Sequence, residues 1–296
     1  MHVNRLYRPN RPVFSVELFP PKTPKGLATL KSRLSELRDH HPDFMSVTYG
    51  AAGGTREYTL DICRTLIEDY GIEAMAHLTC VYHSRGEIQD VLDELKAGGV
   101  DNIMALRGDP PKGETSFSPK PDGFRYAVEL VRAIVELDGF GIGVAGYPEG
   151  HVEAPDYRTD LERLVEKVQA GGQFIVSQFF LRNEHFLRWR DDLAKAGVDV
   201  PVSAGILPAV SADQVTRFAG TCGVEVPRAL VERLEHYAED AESAAAYGIE
   251  YAQKQVLGLL AEGVAGIHLY ALNRVAAVRR IAPIVRAVQT TSYHIA

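Results

Sequence analysis

The chain has little of what marks secreted, membrane-bound or nucleic-acid-binding proteins. Its three cysteines, Cys63, Cys80 and Cys222, are too few and too scattered for a disulfide framework or a cysteine-rich zinc site. No run approaches 18 consecutive apolar residues, and the N-terminal segment has no apolar core of the kind that a secretory signal needs. The formal net charge of -7 argues against a nucleic-acid partner. We therefore expect a cytoplasmic protein with no membrane-spanning segment.

Short apolar runs recur along the chain, and each has the length expected of a strand buried on both faces. Most of the stretches between them carry apolar residues at helical spacing, as Leu161, Leu164 and Val168 do. The predicted strands are Val13–Leu18, Phe44–Thr48, Ala74–Thr79, Asn102–Leu106, Gly141–Ala145, Phe174–Ser177, Val200–Ile206 and Gly266–Tyr270.

Glycine stands where several of the predicted helices should end. It accepts the left-handed conformation that closes a helix, and at each of these points a predicted strand follows directly. Junctions of this kind occur at 69–72, 96–100, 169–172, 195–198 and 261–264. So many repeats of one junction predict a chain in which strands and helices alternate.

Eight predicted strands in one chain of this length favour an α/β fold of the (β/α)8 type, a TIM barrel, over an open doubly wound sheet. No Gly-x-Gly-x-x-Gly follows a predicted strand, so a Rossmann dinucleotide site has no support. The segment Cys222–Glu262 is long and mostly helical in pattern, and it predicts extra helices before the last strand. No low-complexity linker interrupts the chain, so we expect residues 1–296 to form a single barrel domain.

Polar side chains gather at the predicted carboxyl ends of the strands, where barrels of this type carry their active sites. Glu17 could point inward or lie solvated at its strand end, and a carboxyl group in an apolar site can remain protonated at neutral pH. His77 has no histidine or carboxylate at ligand spacing beside it. A metal site is therefore not expected there.

Two further groups at strand ends each allow a structural and a functional interpretation. Arg107 and Asp109 flank a glycine, and they could pair with each other or grip the edge of a planar heterocycle, because Arg donates and Asp accepts. The segment Tyr147–His151 could be an ordinary exposed turn or a contact loop with an aromatic face and a titratable ring.

The same holds for polar residues later in the chain. Gln178 could present donor and acceptor together to an amide-like edge, while the phenylalanines that follow it are expected in the core. Asp160 and Lys167 lie seven residues apart on one predicted helix face. They could be solvated charges, or they could contact the hydroxyls and phosphates of a cofactor.

Taken together, the motifs at these strand ends resemble those of a known family. The segments FSVELFPPKTP, VTYGAAGGTRE, AHLTC, ALRGDPP, YPEGH, SQFF, GILP and HLYALNR are similar, in this order, to segments of bacterial methylenetetrahydrofolate reductases. The similarity extends from about Phe14 to Arg274 and covers nearly the whole chain. Several of the motifs are weak alone, but their order makes the set specific.

The resemblance implies a barrel that binds FAD noncovalently and reduces 5,10-methylenetetrahydrofolate to 5-methyltetrahydrofolate. In the family, NADH or NADPH reduces the flavin and leaves before the folate binds on the same face, which is a ping-pong scheme. We also expect a homo-oligomer. The chain ends soon after the barrel, so we expect no regulatory domain and no inhibition by S-adenosylmethionine.

The family's functional residues have counterparts at matching positions of this chain. By resemblance, Glu17 is the general acid that protonates the folate, and Asp109 is the carboxylate beside both flavin and pterin. Gln178 and Arg274 match positions that hold the folate, and Arg274 suits the carboxylate of its glutamate tail. Positions that match flavin contacts are Thr48, Tyr49, Ala51, His77, Arg107, Gly108, Asp109, Tyr126, Ala127, Tyr147, His151, Ala154, Asp160 and Lys167.

One departure from the family pattern concerns the electron donor. Ala212 stands where family members often carry an aromatic residue shortly after GILP, at a place that stacks on the nicotinamide cofactor. NADH, NADPH and a partner redox protein therefore stay open as donors.

The same residues also allow two other functions. One is an FAD barrel oxidoreductase that acts on another small substrate, as proline dehydrogenases do. The other is a flavin-free, pterin-binding subunit of a methyl-transfer assembly. Gln178 and Glu17 favour folate over the first rival, and the set of predicted flavin contacts argues against the second.

Overall fold

The structure is a computed structural model that describes residues 1–49, 56–109 and 118–291. Its eight strands are β1 Val13–Leu18, β2 Phe44–Val47, β3 Glu73–Thr79, β4 Asn102–Leu106, β5 Gly141–Gly146, β6 Phe174–Ser177, β7 Val202–Ile206 and β8 Gly266–Leu269. They form a closed barrel in which each strand neighbours the next in sequence order. The predicted (β/α)8 barrel is confirmed.

The strand bounds agree with the predicted runs to within two residues. The largest difference is at β7, which begins at Val202 and not at Val200. Pro201 lies between the two, and proline has no N–H to donate to a neighbouring strand. Its carbonyl oxygen still accepts from the Ile175 N–H at 2.9 Å, so the pairing begins one residue ahead of the strand.

The helices of the described residues follow the strands, with one or more after each strand. They are α1 Pro24–Arg38, α2 Arg56–Glu68, α3 Arg85–Ala97, α4 Ala127–Leu137, α5 Tyr157–Gln169, α6 Asn183–Lys195, α7 Ala212–Cys222, α8 Arg228–His236, α9 Ala241–Ala261 and α10 Val275–Thr291. Helices α8 and α9 are the predicted additions before the last strand. Within the described part of the chain, no helix combines the length and apolarity needed to cross a membrane.

All five predicted helix-to-strand junctions contain a glycine with positive φ. The angles are 63°, 75°, 126°, 82° and 66° at Gly71, Gly99, Gly171, Gly197 and Gly263. Residues with a side chain rarely adopt this conformation, so glycine is the residue that lets each helix end and the next strand begin.

Contacts divide the chain into two compact units. The first comprises Met1–Leu6, Ser15–Ala145 and Glu166–Phe174, and the second comprises Tyr7–Phe14, Gly146–Val165 and Ile175–Ala296. In the first unit, the Phe44 and Phe174 rings meet edge to face with centroids 6.4 Å apart. A Cβ on Gly143 would lie 2.7 Å from the Phe174 ring, so the strand needs glycine there for the ring to fit.

The second unit has its own apolar cluster around α7, α8 and α9. Phe179, Leu207, Val215 and Leu230 are among its fully buried members, and Ala212 packs against them. The expected core position of the phenylalanines after β6 is confirmed, because Phe179 is 4% and Phe180 0% exposed.

The cysteines differ in their surroundings. Cys63 on α2 and Cys80 after β3 are buried, while Cys222 at the end of α7 is half-buried, and none of the three forms a disulfide. Burial raises the pKa of Cys63 far above its usual range, and it raises the pKa of Cys80 to about 12.

Candidate functional site

Glu17 and His77 form a buried pair on strands of the first unit. Glu17 is 5% exposed, His77 is 8% exposed, and Glu17 Oε2 lies 3.4 Å from His77 Nε2. In the β1–β2 register Ser15 is opposite Phe44 and Glu17 is opposite Ser46. Since alternate residues of a strand share a face, Glu17 lies on the same face as the Phe44 ring. The carboxyl group therefore lies on the face of β1 that carries core side chains, near the strand's carboxyl end.

The end of β2 is held in place by its neighbours in the same unit. The Thr48 N–H donates to the Leu18 carbonyl at 2.9 Å, and the Thr59 hydroxyl donates to the Thr48 carbonyl at 3.0 Å. Both Thr48 and Tyr49 are half-buried, and the Tyr49 hydroxyl lies 3.1 Å from His83 Nε2. Ala51, a predicted flavin contact, lies outside the described residues.

Gly108 brings the chain after β4 close to the end of β3. Its φ is 88°, and a Cβ there would lie 3.0 Å from the Val81 side chain and 3.1 Å from that of Thr79. Both the conformation and the space therefore require glycine. Arg107 Nε donates to the Gly108 carbonyl at 3.1 Å, and Asp109 is exposed.

Three other predicted flavin contacts of the first unit take different environments. Tyr126 is 52% exposed at the start of α4, and Ala127 is the first residue of that helix. The Lys167 ammonium on α5 donates to the Ala145 carbonyl at the end of β5, at 2.6 Å. This contact fixes the position of the Lys167 charge near a strand end.

The loop after β5, in the second unit, is a tightly bonded turn. The Tyr147 and His151 rings meet edge to face with centroids 4.6 Å apart, and both residues are half-buried. The Glu153 N–H donates to His151 Nδ1 at 3.1 Å, which leaves the ring hydrogen on Nε2. Ala154 closes the turn by donating its N–H to the His151 carbonyl at 2.9 Å, and Asp160 follows in the first turn of α5, half-buried.

Gln178, which follows β6, has a fixed carboxamide. Its side-chain oxygen accepts from the backbone N–H of Phe179 at 2.9 Å. The backbone N–H of Gln178 donates to the Gly146 carbonyl at 2.7 Å. Because the oxygen is turned to the backbone, the NH₂ is the group that the half-buried side chain can offer to a ligand.

Arg274 follows a turn in which two consecutive non-glycine residues have positive φ. These are Leu272 at 49° and Asn273 at 59°, and the Arg274 N–H donates to the Ala271 carbonyl at 2.8 Å. Left-handed geometry is costly for leucine and is found where the surrounding structure imposes it. The turn ends with Arg274 exposed.

Two histidines that the sequence analysis did not select take part in these environments. His83 follows β3 and contacts Tyr49. His185 on α6 lies between two carboxylates, with Nδ1 3.0 Å from Glu149 Oε2 and Nε2 3.5 Å from Glu225 Oε2. The Glu225 N–H also donates to Glu149 Oε2, so this group ties the loop after β5 to later parts of the second unit.

The His185 group also offers one ligand atom from each of three residues within 4.8 Å. Arg182 already supplies a positive charge to it, since Arg182 Nε lies 3.0 Å from Glu225 Oε1. The sequence signal for this group was weak, because Glu149 is part of YPEGH but its two partners lie in segments without a motif.

Comparisons with known proteins bear on the family of this chain. The family model described as methylenetetrahydrofolate reductase matches residues 2–285. A protein of Escherichia coli named 5,10-methylenetetrahydrofolate reductase is 38% identical over 260 residues, which cover 88% of this chain and 86% of that protein. The probable methylenetetrahydrofolate reductase (NADH) of Oryza sativa is 38% identical over 274 residues and 89% of this chain. The chain spans 46% of the length of that plant relative.

Among solved structures, a protein from Clostridium thermocellum described as binding two copies of 5-methyl-5,6,7,8-tetrahydrofolic acid aligns with a TM-score of 0.63. It is 15% identical, and the alignment covers 94% of this chain and 96% of that one. This likeness supports the barrel fold alone. The match of the family model over nearly the whole length, and the identity to the bacterial relative over most of both chains, decide the family: this chain belongs to the methylenetetrahydrofolate reductases.

Proposed function

We propose that this protein reduces 5,10-methylenetetrahydrofolate to 5-methyltetrahydrofolate with a noncovalently bound FAD, and that NADH or NADPH supplies the electrons. The observation that carries the proposal is the Glu17–His77 pair, a carboxyl group 5% exposed and 3.4 Å from an imidazole on strands of one barrel. A buried acid at a strand end is what protonation of a folate nitrogen requires.

The described residues fit a flavin nucleotide by the chemistry of their donors. The half-buried Tyr49 and Tyr147 side chains are each able to contact a planar ring system, and the Arg107 guanidinium can donate to carbonyl or phosphate oxygens. Gly108 brings the backbone after β4 close to the end of β3, where a side chain would not fit. The cofactor, when bound, supplies two-electron hydride chemistry that no side chain can perform.

The chain's own residues position and protonate the substrate. Glu17 donates a proton to the folate nitrogen that leaves the methylene bridge, which opens the five-membered ring and makes the one-carbon unit electrophilic. Gln178 offers its side-chain NH₂ to an acceptor on the pterin edge, because its oxygen is held by the Phe179 N–H. The exposed Arg274 binds a carboxylate of the glutamate tail as a charge-assisted pair.

Asp109 has a different task in this scheme. Asp109 is exposed in the segment after β4. It follows Gly108, whose backbone lies close to the end of β3. As a carboxylate acceptor it orients N–H groups of the pterin, and its negative charge disfavours electron-rich states of a neighbouring ring.

Anaerobic stopped-flow spectroscopy tests the function directly. The purified protein is mixed first with NADH or NADPH, and bleaching of the FAD absorbance near its visible maximum is followed. Methylenetetrahydrofolate is then added to the reduced protein, and we expect the absorbance to return with formation of 5-methyltetrahydrofolate. A colourless protein that takes up no FAD would contradict the proposal and favour a flavin-free pterin-binding role. Flavin that is reduced but not reoxidised by the folate would favour an oxidoreductase of another substrate.

A further inference from the structure

His83 is buried in the turn that follows β3. It is 8% exposed, and its N–H donates to the Cys80 carbonyl at 3.3 Å. The preceding residue, Tyr82, has a φ of 66° and is 39% exposed. This left-handed residue reverses the chain direction, so that Tyr82 points to solvent while His83 points into the protein.

The contacts of the His83 ring define which nitrogen carries the hydrogen. Nδ1 lies 2.7 Å from the Val81 carbonyl oxygen, which can only accept, so the hydrogen is on Nδ1. Burial lowers the pKa of His83 below its ordinary value, which favours the neutral ring. In the neutral ring, Nε2 then carries a lone pair and no hydrogen.

Charged groups near this turn act in both directions on the ring. Glu87 favours the protonated imidazole, whereas Arg56 and Lys120 disfavour it. Glu87 is itself held by Lys120, whose Nζ lies 2.6 Å from its Oε2, and by the Ser84 N–H at 2.7 Å. The negative charge of Glu87 is therefore largely balanced where it lies, and burial prevails at His83.

The position of the hydrogen on His83 fixes the direction of its hydrogen bond with the Tyr49 hydroxyl. Its oxygen lies 3.1 Å from His83 Nε2, and since that nitrogen can only accept, the phenol donates its hydrogen to it. Burial raises the pKa of Tyr49, so the hydrogen stays on the phenol at neutral pH. Toward a ligand, the Tyr49 oxygen can then act only as an acceptor. A ligand group that forms a hydrogen bond with it must therefore be a donor.

We propose that His83 is a positioning residue that fixes the Tyr49 hydroxyl as a hydrogen-bond acceptor toward the cofactor, and so selects a hydroxyl or N–H of FAD at that point. The proposal rests on the proposed function, in which Tyr49 contacts the flavin nucleotide. It excludes a phosphate or carbonyl oxygen of the cofactor as the partner of Tyr49, because two acceptors would then face each other.

FAD titration of the apoprotein, followed by flavin fluorescence, tests this with four variants. His83→Leu and Tyr49→Phe each remove the bond between the two side chains, and we expect each to raise the Kd for FAD about 5- to 10-fold. The double variant should be no weaker than the weaker single variant, because both act through one contact. His83→Gln can donate to the Val81 carbonyl and accept from Tyr49, so it should stay within about 3-fold of the parent protein.

His236→Gln makes the same substitution at an exposed histidine on α8, and it should leave the Kd unchanged. Additive losses in the double variant, or a His83→Gln protein as weak as His83→Leu, would overturn the proposal and give His83 a merely structural role. Failure of the parent protein to bind FAD would instead overturn the proposed function.

A measurement on the unaltered protein avoids any variant that fails to fold. Nitrogen-15 NMR of the histidine rings distinguishes a protonated from an unprotonated ring nitrogen. We expect His83 to carry hydrogen on Nδ1 and none on Nε2, both before and after FAD is added. A hydrogen on Nε2 in the FAD complex would show that Tyr49 is not held as an acceptor.

Discussion

Glu17 and Asp109 both carry a carboxyl group near a strand end of the first unit, and their environments are opposite. Glu17 is 5% exposed with an imidazole 3.4 Å away, whereas Asp109 is exposed beside a glycine. A buried carboxyl is positioned by packing before any ligand arrives, while an exposed one acquires its surroundings only when a ligand covers it. Under the proposed function, this difference fits one group that handles a single proton and another that serves two ligands in turn.

The largest expected effect is at the buried carboxyl group of Glu17. Glu17→Gln preserves the shape but cannot donate a carboxylic proton, so we expect folate reduction to fall by about 100-fold or more. Reduction of FAD by the nicotinamide should stay within about 3-fold of the parent rate, because that step needs no such proton. Stopped-flow rates of the two half-reactions measure this split. Equal losses in both would mean that Glu17 maintains the barrel and takes no part in the chemistry.

The exposed carboxylate should give a smaller and less selective effect. We expect Asp109→Asn to slow both half-reactions by about 10-fold, because the proposed function places this charge beside both the flavin and the pterin. Asp122→Asn, at another exposed position, is the matched control and should leave both rates unchanged. A loss at Asp109 confined to folate reduction would make it resemble Glu17 and remove the contrast between them.

A third group, the exposed Arg274, extends the comparison from the chemical step to substrate binding. Arg274→Ala should raise the KM for the folate about 10-fold and leave kcat within about 2-fold. Arg228→Ala, at an exposed position on α8, serves as its control. With a folate analogue that lacks the glutamate tail, the parent and Arg274→Ala proteins should have the same KM. A persistent difference would mean that Arg274 binds another part of the substrate.

The smallest expected effect concerns stability and again depends on burial. The pKa of His83 is lowered in the folded state, so below about pH 6.5 the unfolded chain binds more protons than the folded one. The contribution of His83 to stability is therefore complete above that pH and is lost progressively as the pH falls below it toward the lower pKa of the folded state. We expect the Tm advantage of the parent protein over His83→Gln to shrink between pH 7.5 and 5.5. An advantage that grows on acidification would show that the ring gains a proton on folding.

Much of the fold could be predicted from the chain because its signals are local. Runs such as Val13–Leu18 and Asn102–Leu106 match the observed strands at both ends, since a strand buried on both faces is mostly apolar along its whole length. Glycines at positive φ, such as Gly71, mark where helices stop. The start of β7 was placed too early because apolarity alone does not register the missing N–H of Pro201.

The site was predicted less completely, because its contacts join residues far apart in sequence. Tyr49 and His83 are 34 positions apart, and no motif links them. The group around His185 is similar, because Glu225 lies in a segment between two helices that no repeat or motif marks. The turn at Leu272 also gave no signal, since leucine is a residue that composition does not associate with left-handed geometry. Roles at the carboxyl ends of the strands therefore came from family resemblance, and they stay predictions.

The three cysteines differ in burial, so a thiol-reactive reagent can report on the packing around each of them. With the thiols of Cys63 and Cys80 buried and their pKa values raised, almost no thiolate is present on them at neutral pH, whereas Cys222 lies half-buried at a helix end. A thiol-reactive dye added to the native protein should thus label one position, which offers a defined attachment point for a fluorophore. Delayed labelling of the other two would then time the moments when α2 and the turn after β3 open to solvent.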